Sequence, residues 1–89
     1  MGVKPMRLSI NLLPVHAKKS HGKAAKLAGT IATLALRLGV PVDKFDLNAV
    51  NSEDRKAPAM WVFTLIAKPD VTPADWQAKT EELLKHAKL

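Results

Sequence analysis

The apolar run at residues 59–67, AMWVFTLIA, most constrains what this chain can fold into. Every position except Thr64 is apolar, and the run is rich in β-branched and aromatic residues, which favour strands. It is too short for a typical buried helix, whereas a strand that is apolar on both faces belongs inside a sheet. We therefore predict a central strand here.

Two other segments alternate between apolar and polar side chains, which predicts half-buried strands. These are residues 6–13 and residues 44–50, and the polar residues 51–58 form a hairpin-type connection to the central strand. The apolar positions of the two alternating strands are Met6, Leu8, Ile10, Leu12, Phe45, Leu47 and Ala49.

Between the first two strands the period becomes helical, which predicts a helix over residues 20–38. Ser20 fits an N-cap, Gly39 stands where a C-cap glycine belongs, and Pro41 prevents continuation. The predicted apolar face of this helix consists of Ala24, Leu27, Ala28, Ile31, Leu34, Ala35 and Leu38.

A second helix is predicted from Pro73 to about residue 88. Thr72 fits its N-cap, Pro73 the first helical position, and Asp75 partly completes a capping box. Its apolar stripe consists of Trp76, Leu83, Leu84 and Ala87.

The element order β-α-β-β-α predicts an α+β two-layer sandwich. A right-handed crossover makes strands 1 and 2 parallel, and strand 3 returns between them, which gives a three-stranded mixed sheet of order 1-3-2 with both helices on one face. This topology resembles a ferredoxin-like fold that lacks its last strand. We predict a disordered tail at residues 1–5 and a single small domain at residues 6–89.

Charge is distributed unevenly along the chain, whose formal net charge is +6. Before Asp43 there are seven basic residues and no acid, whereas eight acids and seven bases follow from Asp43 onward. This asymmetry favours an anionic partner for the first half of the chain, either nucleic acid or an acidic protein. Charge that only keeps the protein soluble is the alternative.

The stretch VHAKKSHGKAAK places lysines at a predicted helix N-terminus, where each cation costs about 0.3–1 kcal/mol. An anion bound there would reverse the sign of that effect. The stretch is not a P-loop, because Ala17 and Ala24 replace the glycine and the Ser or Thr that a P-loop requires. We predict nucleic-acid binding of low sequence specificity, against the alternative of a solvated lysine-rich loop. The predicted contacts are Lys18, Lys19, Ser20, His21, Gly22, Lys23 and Lys26.

A protein-interaction module, such as an adaptor, a small inhibitor or an oligomeric subunit, is the competing interpretation. Strand 1 would be an open edge on which a second copy could pair, and the second face of the sheet would be uncovered. The predicted interaction residues are Leu8, Ile10, Leu12, Met60, Val62 and Ile66.

The kind of binding surface on the sheet depends on which face of the central strand points outward. Trp61 and Phe63 pointing outward would make a platform on which the bases of single-stranded nucleic acid stack. Aromatic residues are only 4% of the chain, and the glycine-aromatic pattern of such platforms is missing. We therefore favour Trp61 and Phe63 in the core, and the same holds for Trp76.

Little in the sequence suggests catalysis, so we predict no enzyme and no cofactor. The absence of cysteine excludes disulfides and thiolate metal sites and fits a cytoplasmic protein. His16 and His21 are five residues apart and could form a metal pair, but no acid lies near them in the sequence. His86, near the last turn of the second helix, fits compensation of the helix dipole. No segment is apolar and long enough for a membrane span, so no membrane partner is predicted.

Overall fold

Five elements build the structure, a computed structural model that describes residues 5–15, 20–51 and 59–87. The strands form one sheet of order β1-β3-β2. Both ladders are antiparallel, so the two outer strands run parallel to each other, and the predicted β-α-β-β-α topology is confirmed. The elements are β1 (Arg7–Pro14), α1 (Ser20–Leu38), β2 (Val42–Val50), β3 (Met60–Ala67) and α2 (Pro73–Ala87).

β1 ends one residue later than predicted and β2 begins two residues earlier, and each additional stretch lies beyond an irregularity in the pairing. The register shifts between Asn11 and Leu13 in β1, and between Val42 and Lys44 in β2. An extra residue at such a bulge interrupts the apolar-polar alternation, so an alternation pattern cannot follow the strand across it. β2 therefore begins at Val42 rather than Lys44, and β1 continues to Pro14, which pairs with Met60.

The central strand β3 presents its aromatic face to the helices. Phe63 and Leu65 are buried and lie in the same core cluster as side chains from both helices. Their register partners on the outer strands are Leu8, Ile10, Phe45 and Leu47, which all pack against that core. The predicted core orientation of Trp61 and Phe63 is thus confirmed, and the alternative of an outward stacking platform is wrong.

The helix layer lies close to the sheet because the buried face of α1 is made of small residues. Ala24, Ala28 and Ala35 are buried together with Ile31. Leu27, which the sequence placed on this face, is 42% exposed, because the buried stripe is narrower than the predicted one. From α2, Trp76 and Leu83 enter the same core, as predicted.

Two local motifs fix where α1 ends and where α2 begins. Gly39 has a φ of 75°, and the amides of Gly39 and Val40 donate to the carbonyls of Leu36 and Ala35. This is a Schellman motif, which requires the left-handed conformation that glycine adopts without strain. At the start of α2, the Asp75 amide donates to Thr72 Oγ1 at 3.2 Å, which confirms the predicted N-cap.

The burial of a leucine side chain predicts how much that residue contributes to the stability of the fold. Leu83 is fully buried, so Leu83→Ala leaves a cavity, and we expect a loss of about 2–5 kcal/mol in the free energy of unfolding. Leu36 is 67% exposed on α1, so the matched control Leu36→Ala should change it by less than about 0.5 kcal/mol. Urea denaturation measures both, and equal losses at the two positions would contradict the described core.

Candidate functional site

The start of α1 is attached to the central strand through Trp61. The indole Nε1 of Trp61 donates a hydrogen bond to Ser20 Oγ at 3.1 Å. The His21 ring meets the Trp61 ring at an interplanar angle of 64°, with 5.1 Å between centroids. The first turn of the helix therefore has a fixed position above one end of β3.

Ser20 takes part in a contact that the sequence did not predict. Predicted as an N-cap and as a phosphate contact, Ser20 is the first residue of α1 and is buried at 9% exposure. Its hydroxyl oxygen accepts from Trp61. A buried tryptophan normally donates its indole N–H to a hydrogen-bond acceptor, so a core position for Trp61 indicated that an acceptor lies nearby. Nothing in the sequence could identify a partner 41 residues away.

The other predicted contacts divide between described and undescribed residues. His21, Gly22, Lys23 and Lys26 are all exposed. The predicted contacts Lys18 and Lys19 lie outside the described residues, as does His16.

The exposed side of α1 carries one more cation than the predicted site. Arg37 follows Lys23 and Lys26 at helical spacing, which puts the three on one side of the helix. We call this side the basic face, and it consists of Lys23, Lys26, Gly29, Thr30, Thr33 and Arg37. Five of these residues line one shallow surface groove together with Leu34. The predicted contacts did not include Arg37, although its spacing from Lys26 was a signal for it.

The hydroxyl groups of the basic face are already used as donors within the helix. Thr30 Oγ1 donates to the Lys26 carbonyl at 3.0 Å, and Thr33 Oγ1 donates to the Gly29 carbonyl at 2.9 Å. An anion on this face would therefore find its side-chain donors in Lys23, Lys26 and Arg37.

No ion pair joins a cation of the basic face to an acid within the described part of the chain. None of the nineteen residues of α1 is acidic. Among the described residues the one ion pair joins His86 Nε2 to Glu82 at 3.9 Å, on α2, and both side chains are about half exposed. The three cations of the basic face are thus available to an external anion.

The side of the sheet away from the helices is a second candidate surface, which we call the open face. Its central strip consists of Met60, Val62, Thr64 and Ile66, all half-buried. Polar and charged residues of the outer strands flank this strip, and Ser9 Oγ lies 3.3 Å from Thr64 Oγ1. These flanking residues are Arg7, Ser9, Asn11, Lys44, Asp46 and Asn48.

Strand β1 presents backbone groups at its outer edge, because in the described sheet it pairs on one side only. The amide of Ala67 donates to the Met6 carbonyl at 2.8 Å. Pairing alternates along an antiparallel ladder, so Arg7, Ser9 and Asn11 direct their N–H and C=O groups away from β3. The predicted edge residues Leu8, Ile10 and Leu12 lie on this strand, and their side chains pack in or against the core.

Metal and membrane sites have no support in the described parts of the chain. Residues 5–15, 20–51 and 59–87 contain no group of three or more His, Asp or Glu residues that could hold a metal ion. Neither described helix is long and apolar enough to cross a membrane.

Comparisons of the chain with protein-family models, with curated proteins and with solved structures found no significant match. The basic face and the sheet surfaces are therefore the features from which a function can be inferred.

The Trp61–Ser20 contact predicts a measurable coupling. Ser20→Ala removes the acceptor and Trp61→Phe removes the donor, so we expect a coupling energy of about 0.5–1.5 kcal/mol in a double-mutant cycle of unfolding free energies. Trp76→Phe combined with Ser20→Ala is the matched control and should be additive. An additive result for Trp61 and Ser20 would mean that the hydrogen bond does not hold the helix start.

Proposed function

We propose that this protein binds nucleic acid by contacting phosphates through the basic face of α1 and the lysine-rich segment before it. The observation that carries the proposal is that Lys23, Lys26 and Arg37 are exposed on one side of a helix that contains no acid. The cysteine-free chain fits action in the cytoplasm, a reducing compartment.

Phosphate binding explains an arrangement of charge that is otherwise unfavourable for the helix. N–H groups in the first turn of an α-helix have no partner within the helix, and the positive end of the helix dipole lies there. His21, Gly22 and Lys23 lie in that turn of α1. Lysines there oppose the dipole until an anion binds, after which dipole and lysines attract the same charge. Lys18 and Lys19 would add to this attraction because they directly precede the helix in sequence.

The proposed contacts are of a kind that carries little sequence information. Contacts to phosphate position a protein on nucleic acid, whereas hydrogen bonds to base edges read the sequence. The basic face has no Asn or Gln, and its threonine hydroxyls already donate within the helix. We therefore propose binding of low sequence specificity and strong salt dependence.

Charge removal from the basic face should weaken binding specifically. We expect the triple variant Lys23→Gln/Lys26→Gln/Arg37→Gln to lose roughly tenfold or more in affinity for a fluorescent oligonucleotide, and to show a shallower dependence of affinity on salt. Fluorescence anisotropy at several salt concentrations measures both quantities.

The control removes equal charge elsewhere. Lys44, Lys68 and Lys85 are exposed on β2, after β3 and on α2. The variant Lys44→Gln/Lys68→Gln/Lys85→Gln should keep most of the affinity, because only charge close to the bound phosphates counts at physiological salt. Equal losses in the two triple variants would indicate attraction by net charge alone and would contradict the proposed site.

A second function, association through β1, is favoured by the outward backbone groups of that strand. We propose as the occupant a second copy of the chain, because the edge is complementary to itself. With Ser9 opposite Ser9 of a second copy, Arg7 faces Asn11 and Leu8 faces Ile10. No like charges are opposed in this register, and the two sheets become continuous.

A lysine at the centre of this register should prevent the association. In the variant Ser9→Lys, two cations would face each other across the axis, so we expect monomers where the wild type sediments as a dimer. Asn48→Lys, on the opposite outer strand of the same face, is the control and should remain dimeric. A wild type that sediments as a monomer at high protein concentration would remove this second function and leave nucleic-acid binding unaffected.

A further inference from the structure

All four Trp and Phe side chains of this protein lie in the interior or at its edge. The chain has two tryptophans, two phenylalanines and no tyrosine. Phe63 and Trp76 are buried, and Phe45 stacks on Phe63 with 5.5 Å between ring centroids and an interplanar angle of 1°. Trp61 is half-buried against Ser20 and His21.

Among the described residues no Trp or Phe side chain is exposed, and the exposed ring of His21 at the start of α1 is packed against Trp61, so no free aromatic platform for an unpaired base is described. Proteins that bind single strands commonly combine a basic groove with exposed aromatic side chains, which stack on successive bases. The open face carries Met60, Val62, Thr64 and Ile66 in its central strip, where RNA-binding sheets carry aromatic residues. The basic face likewise consists of Lys, Arg, Thr and Gly.

From these observations we infer that the partner is a double helix, recognised by its regularly spaced phosphates and not by its bases. This inference rests on the proposed nucleic-acid binding and adds the class of nucleic acid to it. The shared chemistry is a pair of phosphate backbones at fixed separation, which duplex DNA and duplex RNA both present.

The geometry of the basic face matches a rigid partner. Lys26 and Arg37 are eleven positions apart in the helix, which corresponds to about 16 Å along its axis. That length lets the cations reach phosphates on both sides of a groove about 12 Å wide, such as the major groove of B-form DNA. Gly29, Thr30 and Thr33 lie between the cations, and their small side chains keep this part of the helix narrow.

The experiment compares four ligands of equal length against the wild-type protein by fluorescence anisotropy. They are a duplex DNA, a duplex RNA of the same sequence, and one single strand of each. We expect at least one duplex to bind roughly tenfold or more tightly than its own strand at the same salt concentration, and shuffled duplex sequences to bind equally. The DNA and RNA arms identify which duplex is preferred.

The salt dependence provides a second readout. If the three cations contact duplex phosphates, the triple variant Lys23→Gln/Lys26→Gln/Arg37→Gln should make the negative slope of log affinity against log salt shallower, by about 0.9 for each phosphate that it no longer neutralises. The triple variant with changes at Lys44, Lys68 and Lys85 should keep the wild-type slope.

The outcomes separate the inference from the function on which it rests. Single strands that bind as tightly as the duplexes, with a weaker triple variant, would overturn the duplex inference and leave nucleic-acid binding in place. Strong preference for one duplex sequence would overturn recognition by phosphates alone. A wild type that binds none of the four ligands would remove both.

Discussion

The requirement that the apolar strand β3 be paired on both edges and covered by the helices on one face organises this structure. β3 takes the centre of the sheet with a neighbour at each edge, which gives the order β1-β3-β2, and both ladders are antiparallel. Trp61, Phe63 and Leu65 take the face that the helices cover, and Phe63 and Leu65 are buried there. The other face of the strand carries Met60, Val62, Thr64 and Ile66 between the polar residues of the outer strands.

The two sides of α1 have different roles: the inner side packs against the sheet, and the outer side faces solvent. Alanines on the inner side let it lie close to the sheet, while the outer side carries three cations and no acid. Trp61 joins the sheet to the start of this helix, because its Nε1–H donates to Ser20 Oγ and its ring contacts His21. The basic face is therefore held on a rigid element that is attached at its first turn to β3. Because the Trp61 ring is used in these contacts, the contacts that we propose are with phosphates and not with bases.

Most of the fold could be predicted from the sequence because periodicity and end signals agreed. The apolar run, the alternating segments, Gly39 and Thr72 each indicated an element or an end that the structure contains. What could not be predicted depends on long-range contacts. Bulges in β1 and β2 moved strand limits, and the bond between Trp61 and Ser20 joins distant residues. Of the predicted phosphate contacts, the exposed Lys23 and Lys26 lie on the basic face, whereas Arg37 belongs to it by helical spacing and was not assigned.

The proposed binding of phosphates at the basic face of α1 can be tested residue by residue through chemical-shift mapping by NMR. In a titration of ¹⁵N-labelled protein with duplex DNA, we expect the largest amide shifts on residues 21–37, following the exposed positions of the helix. Shifts concentrated on β1 and on the outward positions of β3, with α1 unchanged, would contradict phosphate binding at this helix.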